Sequence, residues 1–221
     1  MTNPLPTDPT LDEIRIALAP LLGGHAAFDG WNETAVRSAA SDLGVDGDIA
    51  LLAITGKPMN LISAWVGSVD AEMGRRLPPE KLGAMKIRAR ITALVATRLE
   101  IMAADREALR RALAIMAMPG NALRAAKMGW HSADGMWRLA GDTATDFNHY
   151  TKRVTLSAVY ASTLSVFIND DSDDFADTRA FLDRRIDNVM QFEKIKAQAK
   201  ARETYMPSLT QLVGRLRYPT R

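Results

Sequence analysis

Apolar residues recur at intervals of three and four through nearly the whole chain, the period of a helix buried along one face. A first helix is expected from Thr10 to Leu22, stopped by Gly23-Gly24, and a second follows Gly30-Trp31 with Ala35, Val36, Ala39, Ala40 and Leu43 facing inward. Gly44 supplies a turn, and DGDIALLAITGKPMNLI then leads to a helix opened by Pro58, with Leu61, Ile62, Trp65, Val69 and Met73 inside. One long amphipathic helix is predicted from Pro79 to Ala104. Its stripe is Ile87, Ile91, Leu94, Val95, Leu99 and Met102, with Lys86, Arg88, Arg90 and Arg98 on other faces. Asp105 reads as the cap of REALRRALAIMAM, which Pro119-Gly120 ends, and the next helix places Trp130 and Trp137 seven residues apart on one side.

The pattern changes at Gly141. Thr145 or Asp146 stands where an N-cap belongs, and from Val154 to Ile168 small and apolar residues run nearly all round the helix, as in one packed on two sides. A last long helix spans Phe175 to Glu203. Met206-Pro207 breaks it before a short amphipathic helix whose stripe is Leu209, Leu212, Val213 and Leu216, flanked by Arg215, Arg217 and Arg221. That helix can lie on an anionic bilayer, fold back on the bundle or bind a partner, and spacing alone does not choose. Residues 1–9, with three prolines, form a disordered lead-in.

Composition supports an all-α class. Hydrophobic residues make up 47% of 221, only 6% are aromatic, and Ala, Leu, Met and Arg outnumber β-branched clusters. With no cysteine, disulfides and thiolate chemistry are excluded. No apolar run reaches the ~18 residues of a membrane span, and the N-terminus has no signal-peptide pattern, so a soluble chain is expected. The net charge is only +2, yet from Glu193 onward seven Lys or Arg face two acids.

Candidate chemistry is sparse. Asp142, Asp146 and His149 include a carboxylate-x-x-His, but no second such motif exists to complete a di-iron set. The loop NDDSDDFAD has Asp174 and Ala180 where a calcium loop counted from Asn169 needs Gly and Glu, so capping explains its acids better. No phosphate loop or activated serine is present, and no cofactor is expected. WNETAVRSAASDLGV and the following segment are similar to a helix-turn-helix. Its reading position, however, holds Asp46, Asp48 and an apolar run in place of Lys or Arg, so nucleic-acid binding is not expected. Met102, Met116, Met118, Met128 and Met136, interleaved with Leu and Trp, either fill a core or line a cavity for a flexible apolar ligand.

The segment GDTATDFNHYTKR closely resembles the signature of the Coq-nine family, lipid-binding accessory proteins of ubiquinone biosynthesis, whose pattern runs roughly GDxSTDxNWYTKR. The likeness continues through Leu156, Tyr160 and Thr163 to FLDRRID, while His149 stands in place of the family's usual Trp. The resemblance implies a tetracycline-repressor-like helical bundle with an N-terminal helix-turn-helix-like module, dimeric, with no catalytic role of its own. It favours a cavity for a lipid or isoprenoid quinone, here assigned to Ile91, Leu94, Val95, Met102, Leu113, Met116, Trp130 and Trp137. A partner surface facing the demethoxyubiquinone hydroxylase is assigned to Asp142, Asp146, Asn148, His149, Tyr150 and Arg153, with other ubiquinone-biosynthesis proteins as further partners. The helix carrying Leu209, Leu212, Val213, Arg215, Leu216 and Arg217 would touch the membrane, placing the protein in the cytoplasm at the inner membrane. The expected organisation is a tail at 1–9, the helix-turn-helix-like module at 10–60, a lipid-binding helical domain at 61–205 and the amphipathic helix at 206–221. The alternative is a ligand-responsive transcription regulator on the same scaffold.

Overall fold

The structure, a computed structural model, describes residues 5–143, 145 and 147–205, and every regular element among them is helical. The chain divides into two units, Met1–Leu182 and Asp183–Arg221. Asp146 and residues 206–221, including the expected membrane-facing Leu209, Leu212, Val213, Arg215, Leu216 and Arg217, lie outside the described residues.

Local capping chemistry sets several helix starts. The Thr10 hydroxyl accepts from the Glu13 N-H while the Glu13 carboxylate accepts from the Thr10 N-H, a reciprocal box that opens α1 (Leu11–Leu18). The expected single helix from Thr10 to Leu22 is instead two, because the chain turns at Ala19 to Leu21 and Gly23-Gly24 lie inside α2 (Leu22–Asp29). Gly23 does not stop that helix; it lets it approach. A Cβ there would meet the Asp105 Oδ2 at 2.3 Å and the Trp65 Nε1 at 2.6 Å. Asp105 makes no side-chain cap either. Burial raises its pKa, and a hydrogen bond from the Trp65 indole opposes that rise.

Asn32 caps α3 (Glu33–Asp42), whose Ala35, Val36, Ala39 and Ala40 are fully buried. Gly44, at φ 67°, turns the chain into α4 (Gly47–Ala53), capped by the Asp46 carboxylate. Pro58, at a position whose N-H has no helical partner, opens α5 (Pro58–Arg76). The predicted helix from Pro79 to Ala104 breaks into α6 (Pro79–Gly83) and α7 (Ile87–Met102). The Arg90 guanidinium holds that break open, donating to the Gly83 and Met85 carbonyls. Then come α8 (Arg106–Met116), α9 (Ala122–Leu139), α10 (Phe147–Phe167) and α11 (Ala176–Tyr205).

In the first unit α5, α7, α9 and α10 share a core of Leu61, Ile62, Trp65, Met73, Leu94, Val95, Met102, Met136 and Phe167. Each such side chain contributes about 1.5–3 kcal/mol by leaving water. Arg98, expected on an outer face of α7, is buried in this core. It pairs with Asp70 and donates to the Tyr160 hydroxyl (3.1 Å) and the Ser132 hydroxyl (3.2 Å), so four helices share one charge network. Trp31 packs against Trp65 in a tilted contact, ring centres 5.4 Å apart, and donates to the Ala108 carbonyl, joining the N-terminal helices to α8. The acidic loop before α11 is organised by Asp170. Burial works against its charge, but four hydrogen bonds from the backbone N-H and hydroxyl groups of Ser172 and Thr178 outweigh that and hold its pKa well below the usual range.

Candidate functional site

The hairpin of α9 and α10 is built from a glycine stop. Gly141, at φ 88°, follows the last turn of α9; its N-H donates to the Arg138 carbonyl (3.0 Å) and the Asp142 N-H to the Trp137 carbonyl (2.9 Å). This paired closure satisfies two end carbonyls and reverses the chain, bringing Asp142 back over α10. There the Asp142 carboxylate accepts from Lys152 (2.7 Å) and Arg153 (3.1 Å). Arg153 also donates to Asp134 of α9 (2.5 Å) and to the His149 carbonyl (3.0 Å), and Asp134 takes a second ion pair from Arg138 at 2.8 Å. Trp137 completes the base: its indole N-H donates to the Lys152 carbonyl, and the Lys152 ammonium lies 5.3 Å from its ring centre.

Two of the residues assigned to a partner surface therefore belong under it. Arg153 is 2% exposed and the Asp142 side chain 5%, so neither presents its charge outward. The reason is the carboxylate pair, Asp134 and Asp142, which draws the guanidinium between the helices. Asp134 was missed by sequence reading, since a lone acid in mid-helix carries no signal until its partner is known. The acid of the carboxylate-x-x-His pattern, Asp146, lies outside the described residues, while Asp142, one turn before it in sequence, is engaged by Lys152 and Arg153. No group of three or more His, Asp or Glu with metal-binding placement occurs among the described residues.

Above this base sits an aromatic surface. Tyr150 is 59% exposed, with Asn148 also exposed and His149 half-buried. His149 and Tyr150 meet edge to face at 5.1 Å, and Trp130 from α9 lies 6.3 Å and 6.0 Å from them. Val154, one turn beyond Tyr150, is exposed as well. Aromatic side chains with a polar edge over a rigid support are the composition of the centre of a protein interface.

The eight residues assigned to a lipid cavity do not form one group. Ile91, Leu94, Val95 and Met102 are buried in the packed face of α7; Leu113 and Met116 are half-buried on α8. Trp130 and Trp137 both turn toward α10, one into the aromatic surface and one into its base. Nor do the methionines make one lining: Met102 and Met136 are buried while Met118 is exposed. A cleft of about 300 Å³, counting the space open to solvent, lies elsewhere, between α7, the end of α10 and the start of α11. Leu99, Phe167, Phe175 and Leu182 line it with Ala96 and Thr178, and Glu100 and Arg179 stand at its edge. None of the eight assigned residues lines it.

The comparisons fall on the same hairpin. Residues 122–193, from the first residue of α9 into α11, match the COQ9 family. That stretch is similar to the COQ9 family. The ubiquinone biosynthesis protein COQ9 of Rattus norvegicus, described as mitochondrial, is 33% identical over 179 residues, covering 78% of this chain and 57% of that protein. The Homo sapiens COQ9, likewise described, is 33% identical over 180 residues, with 78% and 56% covered. The chain thus spans a little over half the length of the curated relatives it matches. Among solved structures, a TetR transcriptional regulator from Nitrosomonas europaea superposes with a TM-score of 0.62 at 21% identity, covering 79% of this chain and 97% of that one. The fold is accordingly all-α and tetracycline-repressor-like, as the COQ9 resemblance implied. No single helix among the described residues is long and apolar enough to cross a membrane.

Proposed function

We propose that the chain acts in ubiquinone biosynthesis as a non-catalytic, lipid-binding accessory protein. It holds an isoprenoid quinone intermediate and presents it to the demethoxyubiquinone hydroxylase, working as a homodimer at the membrane surface. The observation that carries this reading is the coincidence of the COQ9 match with the α9–α10 hairpin, where Trp130, His149 and Tyr150 form an aromatic surface on a buried ion-paired base. The names of the curated relatives support the pathway. Docking, not chemistry, is what such a surface can do.

The cleft beside Phe167 and Phe175 is a narrow one: leaving out open solvent, its free space is about 20 Å³, room for little more than a water molecule. Taking in a polyprenyl chain, or even one end of it, requires the surrounding helices to part.

Two measurements test the reading together. An organic extract of the purified full chain, analysed by mass spectrometry, is expected to contain an isoprenoid lipid. Immobilised protein is expected to retain the hydroxylase, and Tyr150→Ala to lose most of that retention with an unchanged melting temperature, since the side chain is mostly exposed. An empty extract ends the carrier role, and full retention by Tyr150→Ala ends the docking role.

A further inference from the structure

The turn that joins α5 to α7 concentrates positive charge. Residues 75–90 hold Arg75, Arg76, Lys81, Lys86, Arg88 and Arg90 against one acid, Glu80. Seven of the nine residues from 79 to 87 are exposed, and Leu82, fully buried, anchors α6 beneath them. Arg75 and Arg76 share a single carboxylate, Glu72, whose pKa their hydrogen bonds lower to about 2. That one charge offsets only one of the two guanidiniums. Arg90 turns inward, and its bond to the Ala140 carbonyl (2.7 Å) ties the turn to the end of α9, two residues before Asp142. The outermost positions mix Lys81 and Lys86 with Pro79, Ala84 and Ile87, the last 42% exposed.

We propose that this turn is a contact surface for an anionic lipid bilayer, with Lys81 and Lys86 at the headgroups and Pro79 and Ile87 at their boundary with the acyl chains. Residues 75–90 contain no aromatic ring on which a base could stack, which disfavours single-stranded nucleic acid. An exposed turn carrying long ammonium side chains suits a planar array of phosphates, where position matters less than charge. Arg90 ties the turn to the end of α9, where Gly141 reverses the chain toward Asp142. The proposal stands whether or not the interior carries a lipid, because it needs only the charge and exposure of the turn.

The test uses the full chain and flotation with phosphatidylcholine vesicles, with and without phosphatidylglycerol, at low and high salt. The double variant Lys81→Gln/Lys86→Gln is compared with Lys57→Gln/Lys127→Gln, which removes the same charge from two other exposed positions. The basic residues from Lys194 onward are untouched in both. At about fivefold per cationic side chain, the first double variant is expected to bind anionic vesicles about 25-fold more weakly, while the second stays near the parent. Binding is expected to weaken with salt as screening shortens the reach of the charges. Equal losses in the two variants would assign the effect to net charge and overturn the proposal. So would unchanged flotation of the first variant, or parent binding indifferent to phosphatidylglycerol. Loss of an acidic protein partner with flotation intact would give the turn to that protein. Circular dichroism melts of both variants are expected to match the parent, since all four lysines are exposed.

Discussion

Replacing Arg153 with Met separates a structural role from a docking role at the same position. The guanidinium is 2% exposed and lies between the Asp134 and Asp142 carboxylates at 2.5 and 3.1 Å. Methionine keeps much of the aliphatic length but leaves both acids facing a gap. Removing one partner of a buried pair costs about 3–5 kcal/mol. Here Asp142 retains Lys152 at 2.7 Å and Asp134 retains Arg138 at 2.8 Å, so the loss falls near the lower end, about 3 kcal/mol. At about 2–4 °C per kcal/mol for a chain of this size, the melting temperature drops by roughly 6–12 °C. Scanning calorimetry measures it. Adding Asp142→Asn, which removes the opposing charge, is expected to recover part of the loss, with a coupling of about 1–3 kcal/mol. A melting temperature within about 2 °C of the parent, or strictly additive effects, would refute the buried-clamp account and return Arg153 to the exterior.

Gly23→Ala forces a methyl group to within 2.3 Å of Asp105 and 2.6 Å of Trp65, and is expected to cost about 1–3 kcal/mol in denaturant unfolding as α2 is pushed from the body. The Asp170 pKa is depressed in the fold, so its contribution is present above the unfolded pKa near 4 and fades as pH falls toward the folded value. Asp170→Asn is therefore expected to destabilise at neutral pH, and the gap from the parent in thermal melts to narrow on acidification; a constant gap would count against it. Electrophoretic mobility shift at low salt is expected to show little DNA affinity, because Asp46 caps α4 and Arg37, the base best placed to reach a phosphate, is paired with Asp48 at 2.7 Å.

Helix identity was readable wherever one residue type had one physical use. Pro58 marked the start of α5, Gly44 the turn before α4, and Pro119-Gly120 the end of α8, all because backbone chemistry there is local. Glycine misled where its use was tertiary. Gly23 looked like a stop and serves close approach to Trp65 and Asp105, while Gly83, inside the long helix expected from Pro79 to Ala104, ends α6. Charge misled for the same reason. Arg98 was placed on an outer face of its helix by spacing, and Arg153 on the partner surface as an interface-type residue of the family motif. Their carboxylates, Asp70 and Asp134, stand 28 and 19 residues away and meet them only once the helices pack. The aromatic surface was partly visible: His149 and Tyr150 lay in the motif that resembled the family, but the contribution of Trp130 needed the reversal of the chain at Gly141.

The four tryptophans are distributed so that light emitted by the protein reports on two regions at once. Trp31 and Trp65 lie against each other in the interior and follow the joint between the N-terminal helices and the remainder. Trp130 shares its surroundings with His149 and Tyr150, so an occupant settling on that face alters its emission without any label attached. With Trp31 and Trp137 replaced by phenylalanine, the molecule would serve as its own indicator of association.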